Sequence, residues 1–160
     1  PVADLDLIGS IAFLIGWFGW AKPVMVDTSN FRDPRTDYTL VSIAGPASNV
    51  LMAFLGYLAL RFLGSYGLLT NDSLELVLTL IVVYNINFAI LNMMPIPPLD
   101  GSRIITSLLP RDLQFTLERL SFVSLIVLIL VLNTPIASKI FIPLQQTILQ
   151  FFERIVSIIL

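Results

Sequence analysis

Long apolar segments with very few charges dominate this sequence and restrict what it can fold into. Residues 38–63 and 74–94 are each long enough to cross a bilayer as a helix, which takes about 20 apolar residues. Only 12% of the 160 residues are charged, against roughly 25% in soluble domains, and the mean hydropathy is +0.89. Because a soluble core of this length could not bury so much apolar surface, we predict an all-α integral membrane helical bundle, a single domain over residues 1–160.

Three further apolar segments complete the predicted bundle. Residues 8–20 contain three glycines and are too short to span, so we predict a re-entrant or interfacial segment, with a truncated spanning helix as the alternative. Residues 120–132, extended by Phe115 and Leu117, are predicted as a third span. Residues 136–160 carry Gln, Gln and Glu at i, i+4 and i+7, which fits either an interfacial helix or a final span with a polar inner face. The bundle is therefore expected to have three to four spanning helices plus the N-terminal segment.

Polar connections separate these segments. Residues 22–37 mix charges of both signs with two prolines and are predicted to form a water-exposed loop. Residues 64–73 are predicted to be a short polar turn. Within the first span, Pro46 cannot donate to the carbonyl of Ser42, so a kink is predicted there.

The distribution of Lys and Arg predicts which ends of the spans share a side. The segments before the first span and after the second are basic, whereas residues 65–73 between the spans carry no Lys or Arg. Two crossings return the chain to its starting side, which we predict to be cytoplasmic. That side would carry Lys22, Arg32, Arg35, Arg103 and Arg111.

Composition also excludes several functional classes. The formal net charge is −2 without a basic patch, so no nucleic-acid partner is predicted. The sequence contains no Cys and no His, which rules out disulfides and leaves carboxylates as its usual metal ligands. The lipid bilayer is the predicted surrounding, and nothing in the sequence indicates an oligomeric state.

The first chemically suggestive block is residues 92–101, Asn-Met-Met-Pro-Ile-Pro-Pro-Leu-Asp-Gly. Its three prolines forbid a regular helix, and non-helical backbone at membrane depth is tolerated only inside protein or beside a water-filled cavity. A carboxylate at Asp100 is costly there unless something pairs with it, and a metal ion such as zinc is one such partner. The alternative is that Asp100 only caps a short helix, predicted from near Ser102 to Leu109.

The second block is residues 45–49, Gly-Pro-Ala-Ser-Asn, within the first span. Small residues allow helices to approach closely in lipid. Asn49 could hydrogen-bond a neighbouring segment or an extended peptide. The alternative is a packing motif in which Asn49 is satisfied locally.

Together with two further stretches, these blocks resemble the site-2-type intramembrane zinc metalloproteases. The matching stretches, in that family's order and spacing, are residues 19–24 with 30–32, residues 45–49 and residues 92–101. Residues 1–11 also resemble the segment that follows the family's zinc-binding helix. The resemblance covers most of the chain to about residue 109, and the Leu-Asp-Gly block with its prolines is the most specific part.

The resemblance implies hydrolysis of peptide bonds within or near the membrane-spanning segments of protein substrates. In the family, zinc is held by two His of a His-Glu-x-x-His helix and by the Asp of the Leu-Asp-Gly block, here Asp100. The Glu of that helix is the general base for the zinc-bound water. The Asn that matches Asn92 is placed near the scissile carbonyl, where it could donate to the oxyanion.

The proline-rich stretch before Asp100 is predicted to be extended. It would bring Asp100 back toward the cavity that Asn92 faces, and its free main-chain groups could pair with an unwound substrate. Asn49, Pro95 and Pro97 are therefore the predicted substrate-binding residues. Asn92 is the predicted catalytic residue, and Asp100 is the predicted metal ligand.

The sequence departs from the family in one respect that matters, since it contains no His. A catalytic zinc site needs three protein ligands and a water, which one carboxylate does not supply. The missing helix is expected just before Pro1 in the family's order, so truncation is preferred to degeneration. Zinc is accordingly predicted for the full-length protein, while this chain alone is predicted to bind zinc weakly or not at all and to be inactive.

Two other functions remain open from the sequence. The first is a non-catalytic membrane protein of the same fold that binds transmembrane segments without cutting them. The second is a fragment of a channel or transporter whose broken helix at residues 95–98 lines a pathway. The second predicts a matching broken segment elsewhere, and the sequence shows no internal repeat.

Overall fold

The computed structural model describes the backbone of residues 34–107 and 109–159, all within the compact unit Asp33–Leu160. The described side chains in these ranges are all but those of Pro34, Arg35, Tyr38, Arg111 and Glu118. The predictions for residues 8–20, and for residues 22–33 of the polar loop, lie outside the described residues.

The described residues form helices joined by short connections, without a strand among them. The helices are α1 (Pro34–Ser65), α2 (Asp72–Asn92), α3 (Asp100–Thr106), α4 (Arg111–Arg119), α5 (Ser121–Leu132) and α6 (Pro135–Ile159). This confirms the predicted all-α class. Thr39–Ser65 and Asp72–Asn92 are long and apolar enough to cross a membrane, and they correspond to the first two predicted spans, residues 38–63 and 74–94.

α1 and α2 pack along each other as a helical hairpin. α1 ends in a Schellman arrangement, in which Gly67 has φ +65° and the Leu68 amide donates to the Leu63 carbonyl at 2.9 Å. α2 begins at an N-cap, where the Asn71 side chain accepts from the Ser73 amide at 2.8 Å. These two local signals make a tight return, so the far end of α2 comes back toward the start of α1.

Small residues on α1 bring the two helices together. Gly56 lies so close to α2 that a Cβ there would be 3.2 Å from both Ile81 Cγ2 and Val82 Cγ2. Pro46, also buried, does not interrupt α1, which continues as a helix to Ser65. The central core cluster consists of Ala53, Val82, Ile86, Ile90 and Phe152. Only 17% and 22% of the most apolar 18-residue stretch of the two candidate spans is buried, so most side chains there face outward, as lipid-facing helices require.

The third predicted span differs from the structure. α5 has 12 residues, about 18 Å at 1.5 Å per residue, which is too short to cross a hydrocarbon core of about 30 Å. Phe115 and Leu117 belong to the separate helix α4, so they do not extend it. α5 and α6 form a pair bent by 83°, and the described residues hold three spans only if that pair counts as one.

α6 packs against α1 and α2 through its apolar and polar side chains. Phe152 is buried and meets Phe54 edge-on, with ring centroids 5.2 Å apart. Glu153 accepts a hydrogen bond from the Tyr57 hydroxyl and pairs with Arg61, whose Nη2 lies 2.7 Å from Glu153 Oε1. The Gln145 amide donates to Asn87 Oδ1 of α2. The polar face predicted for this segment is therefore divided, because Glu153 faces α1 while Gln146 and Gln150 are exposed.

Candidate functional site

The connection between α2 and α3 is a compact turn. After α2, the Met94 amide donates to the Leu91 carbonyl at 3.0 Å, and the Leu99 amide donates to the Ile96 carbonyl at 2.9 Å. The Pro97–Pro98 peptide bond is cis. The extended conformation predicted for this stretch is therefore wrong, because a four-residue turn closes on itself between Ile96 and Leu99.

Gly101 fixes where α3 begins. A Cβ on this buried residue would lie 2.3 Å from the Met93 carbonyl oxygen and 2.7 Å from that of Met94. Only a residue without a side chain allows the first turn of α3 to rest directly on the end of α2. Ser102, 5% exposed, adds a hydrogen bond from its hydroxyl to the Leu99 carbonyl at 2.7 Å. The first turn of α3 is thereby held by the end of α2, against which Gly101 packs, and by the Leu99 carbonyl, which Ser102 bonds.

Asp100 lies against α1. Its Oδ2 is 3.1 Å from the position that a Cβ on Gly45 would occupy, and its side chain is 33% exposed. Its Oδ1 is 3.9 Å from Arg103 Nε, one turn along α3. The N-cap of α3 is Leu99, so Asp100 is the first helical residue and not the cap that the alternative interpretation required.

The contact with Gly45 also sets the depth of the carboxylate. Gly45 follows Thr39, the first residue of the first candidate span, by six positions. At a rise of 1.5 Å per residue this is about 9 Å along the axis of α1. Asp100 therefore sits within the length of a candidate span and not beyond its end, although it is far from α1 in the sequence.

The other predicted site residues occupy different surroundings. Asn92 is half-buried on the last turn of α2, and Asn49 is half-buried on α1, one turn after Gly45. Pro95 is exposed and lines an apolar groove, whereas Pro97 lines a small polar cavity of about 150 Å³. The structure thus places the two prolines on separate surfaces.

The apolar groove has a volume of about 490 Å³ and lies between α1, the end of α2 and α6. Its lining comprises Ile43, Pro46, Ala47, Val50, Ala89, Ile90, Met93, Met94, Pro95, Ile140, Leu144 and Ile148. The sequence did not indicate the contribution of α6, because Ile140, Leu144 and Ile148 show only the helical spacing of any apolar face. Nor did it single out Gly45 or Gly101 individually, although both lie in the two blocks of interest.

The fit of a zinc ion to these residues is partial. Among residues 34–107 and 109–159, no group of three or more His, Cys, Asp or Glu side chains is positioned to hold a metal. Asp100 suits one ligand position, since it is a partly buried carboxylate whose helix is anchored on both sides. The whole sequence offers no imidazole or thiolate to complete the set.

The fold and this site define a helical membrane protein with a carboxylate held at a broken connection between helices. Comparison with known proteins agrees: the model of Peptidase family M50 matches residues 67–134, which include residues 92–101. A curated relative, "Putative zinc metalloprotease YwhC" of Bacillus subtilis (strain 168), is 33% identical over 163 residues, covering 97% of this chain and 74% of the relative. No solved structure matches. The chain belongs to the M50 peptidases, the site-2 protease family of metalloproteases.

Proposed function

We propose that this chain forms part of a zinc-dependent intramembrane endopeptidase that cleaves its substrates in or near their transmembrane segments. The observation that carries this proposal is the position of Asp100. Its carboxylate rests on Gly45, about 9 Å along a candidate span, where an acidic side chain without a functional partner is costly. Within this chain the carboxylate has Arg103 Nε at 3.9 Å, and membership of a metalloprotease family adds a second partner, a metal ion.

Each predicted site residue has a role in this proposal. Asp100 is one zinc ligand, and bound zinc would activate the attacking water. Because the sequence has no His, this proposal assigns the two imidazole ligands, and the Glu that lies between them in the family's motif, to residues outside it. Asn92 donates to the oxyanion that forms at the scissile carbonyl. Asn49 and Pro95 contact the substrate segment, as does Pro97 from the polar cavity.

The partners and the orientation follow from the same proposal. The substrates are membrane proteins, and the lipid bilayer surrounds α1 and α2. The ends of α1 and α2 near Asp100 face the cytoplasm. Arg61, near the other end of α1, is a single basic residue on that side, against the larger number of Lys and Arg at the ends near Asp100.

A non-catalytic membrane protein of the same fold is the second candidate. The observation that favours it is the absence of any His or Cys from the 160 residues. Such a protein would hold a transmembrane segment in the apolar groove and release it uncut. Zinc content and cleavage by the complete protein distinguish the two functions.

The test compares wild-type complete protein with Asp100→Ala, in detergent or proteoliposomes, using a transmembrane reporter substrate. We expect stoichiometric zinc and cleavage in the wild type, and loss of both in Asp100→Ala because a ligand is removed. The matched control is Asp72→Ala, since Asp72 is an exposed acidic residue at the opposite end of α2. Undiminished cleavage by Asp100→Ala would contradict the proposal, and a zinc-free, inert wild type would favour the non-catalytic function.

A further inference from the structure

We infer that Gly45 is a positioning residue for Asp100, because the side chain missing from α1 leaves the space in which the carboxylate lies. The inference rests on the proposed function, since the carboxylate is taken to be a zinc ligand. It assigns to α1 a part in the metal site although α1 contributes no ligand from this position.

The geometry of the contact is close. A Cβ on Gly45 would lie 3.1 Å from Asp100 Oδ2, which is tighter than nine in ten real contacts of this kind. One of the two groups would have to move by a few tenths of an ångström. Metal sites hold their ligand distances to within about 0.2 Å, so a displacement of that size matters for coordination.

Asp100 has little freedom to accommodate such a change by moving its backbone. Gly101 already rests on the Met93 carbonyl, and Ser102 is buried with its hydroxyl bonded to Leu99. The carboxylate must therefore turn about its own side-chain bonds. A turn away from α1 would change its distance to Arg103, now 3.9 Å, and the direction in which its oxygens point.

The demands of α1 itself do not explain a glycine at this position. Inside a helix, Gly is less favourable than Ala because it loses more conformational freedom on folding. The inner face of α1 consists of residues at helical spacing, Ser42, Gly45, Asn49, Ala53 and Gly56. On this face Gly56 makes room for the aliphatic side chains of α2, whereas Gly45 makes room for a carboxylate oxygen.

Gly56 therefore provides the matched control for an experiment on Gly45. Both are helical glycines on one face of α1, and an added methyl would meet a neighbour at 3.1 Å in one case and 3.2 Å in the other. The neighbours of Gly56 are Ile81 and Val82, and not Asp100. A general packing defect would appear in both Gly45→Ala and Gly56→Ala. A displaced ligand would appear in Gly45→Ala only.

The experiment measures Gly45→Ala, Gly56→Ala and Asp100→Ala in the complete protein. The readouts are zinc affinity, the visible spectrum of the cobalt-substituted protein and the thermal midpoint. We expect Gly45→Ala to lose 10–100-fold in metal affinity, as other groups that orient a ligand do, and to shift the cobalt spectrum without a lower midpoint. Gly56→Ala should keep the affinity and the spectrum of the wild type.

A wild-type spectrum and affinity in Gly45→Ala would overturn the inference, as would equal changes in Gly56→Ala. Failure of the proposed function is distinguishable, because either the wild type would then be free of zinc and inert, or Asp100→Ala would retain both metal and cleavage.

A second measurement covers the case in which Gly45→Ala does not fold. The double variant Gly45→Cys with Asp100→Cys should form a disulfide in membranes, detected by mass spectrometry of the linked peptides. Gly56→Cys with Asp100→Cys should not, because Gly56 lies 11 residues, about 16 Å, further along α1. An unlinked first pair would overturn the inference.

Discussion

Gly101 approaches Met93 so closely that a Cβ on Gly101 would lie 2.3 Å from the Met93 carbonyl oxygen. Real Cβ atoms essentially never come so near a backbone atom, so an alanine here must displace one of the two segments. Either displacement would disturb the first turn of α3, which carries Asp100.

The first prediction is that Gly101→Ala lowers stability by about 1–3 kcal/mol, as overpacking of a filled interior does. Thermal or denaturant unfolding of the purified protein measures it. Gly64→Ala is the control, because its Cβ would have Leu69 Cδ1 as its nearest neighbour at 4.0 Å. Equal stability of Gly101→Ala and the wild type would show that α3 is not seated on α2 as described.

The second prediction concerns Glu153, which joins α6 to α1 through Tyr57 and Arg61. The side chains of Arg61 and Glu153 are 52% and 43% exposed, so solvent screens the pair, and we expect Glu153→Gln to lower stability by only about 1 kcal/mol. Glu75→Gln, in the exposed first turn of α2, is the control. A thermal midpoint unchanged by Glu153→Gln would mean that the contacts of Glu153 with Tyr57 and Arg61 do not help to hold α6 on α1.

The third prediction concerns the amide pair between Asn87 and Gln145, the polar contact between α2 and α6. A double-mutant cycle with Leu at both positions should give a coupling of about 0.6 kcal/mol, the average for such bonds between membrane helices. Asn85 provides the control cycle, because its amide donates to the Ile81 carbonyl of its own helix at 2.8 Å. Coupling of Gln145 to Asn85 as strong as to Asn87 would contradict the observed pairing.

The two long spans could be predicted from the sequence to within a few residues. Residues 38–63 and 74–94 correspond to Thr39–Ser65 and Asp72–Asn92, because a run of apolar residues with few charges specifies a spanning helix locally. The separate α4, Arg111–Arg119, was missed because its apolar residues Phe115 and Leu117 were assigned to the third span. The 83° bend between α5 and α6 was not predicted either, because a run of apolar residues carries no information about the angle to the next helix.

The residues of the candidate site could be predicted from the sequence, but their arrangement in space could not. The pattern singled out Asp100 and the prolines, yet a proline fixes only its own φ and restricts its neighbour, so the turn from Ile96 to Leu99 was mistaken for an extended stretch. The contact between Gly45 and Asp100 joins residues far apart in sequence. No local periodicity encodes such a pairing, although the small size of Gly45 is the signal that allows it.

The fourth prediction concerns orientation. If α1 and α2 both cross the membrane, single cysteines at Ser29 and Ser107 should react with an impermeant reagent from the cytoplasmic side. A cysteine at Ser73, in the first turn of α2, should react from the other side. Labelling in sealed vesicles of each orientation checks this. Reaction of positions 29 and 73 from one side would disprove the assigned crossings.

The fifth prediction separates the role of Asn92 from that of Asp100. Asn92 is half-buried on the last turn of α2, just before the turn that returns the chain to Asp100. If Asn92 donates to the oxyanion, Asn92→Ala removes a bond made in the transition state and should lower kcat by no more than about 10²–10³. Zinc should stay bound, because Asn92 is not a ligand. Asn133→Ala is the control, since the Asn133 side chain bonds only its own helix at the Ile129 carbonyl, 2.8 Å away. Loss of zinc from Asn92→Ala, or a kcat equal to that of the wild type, would exclude this role.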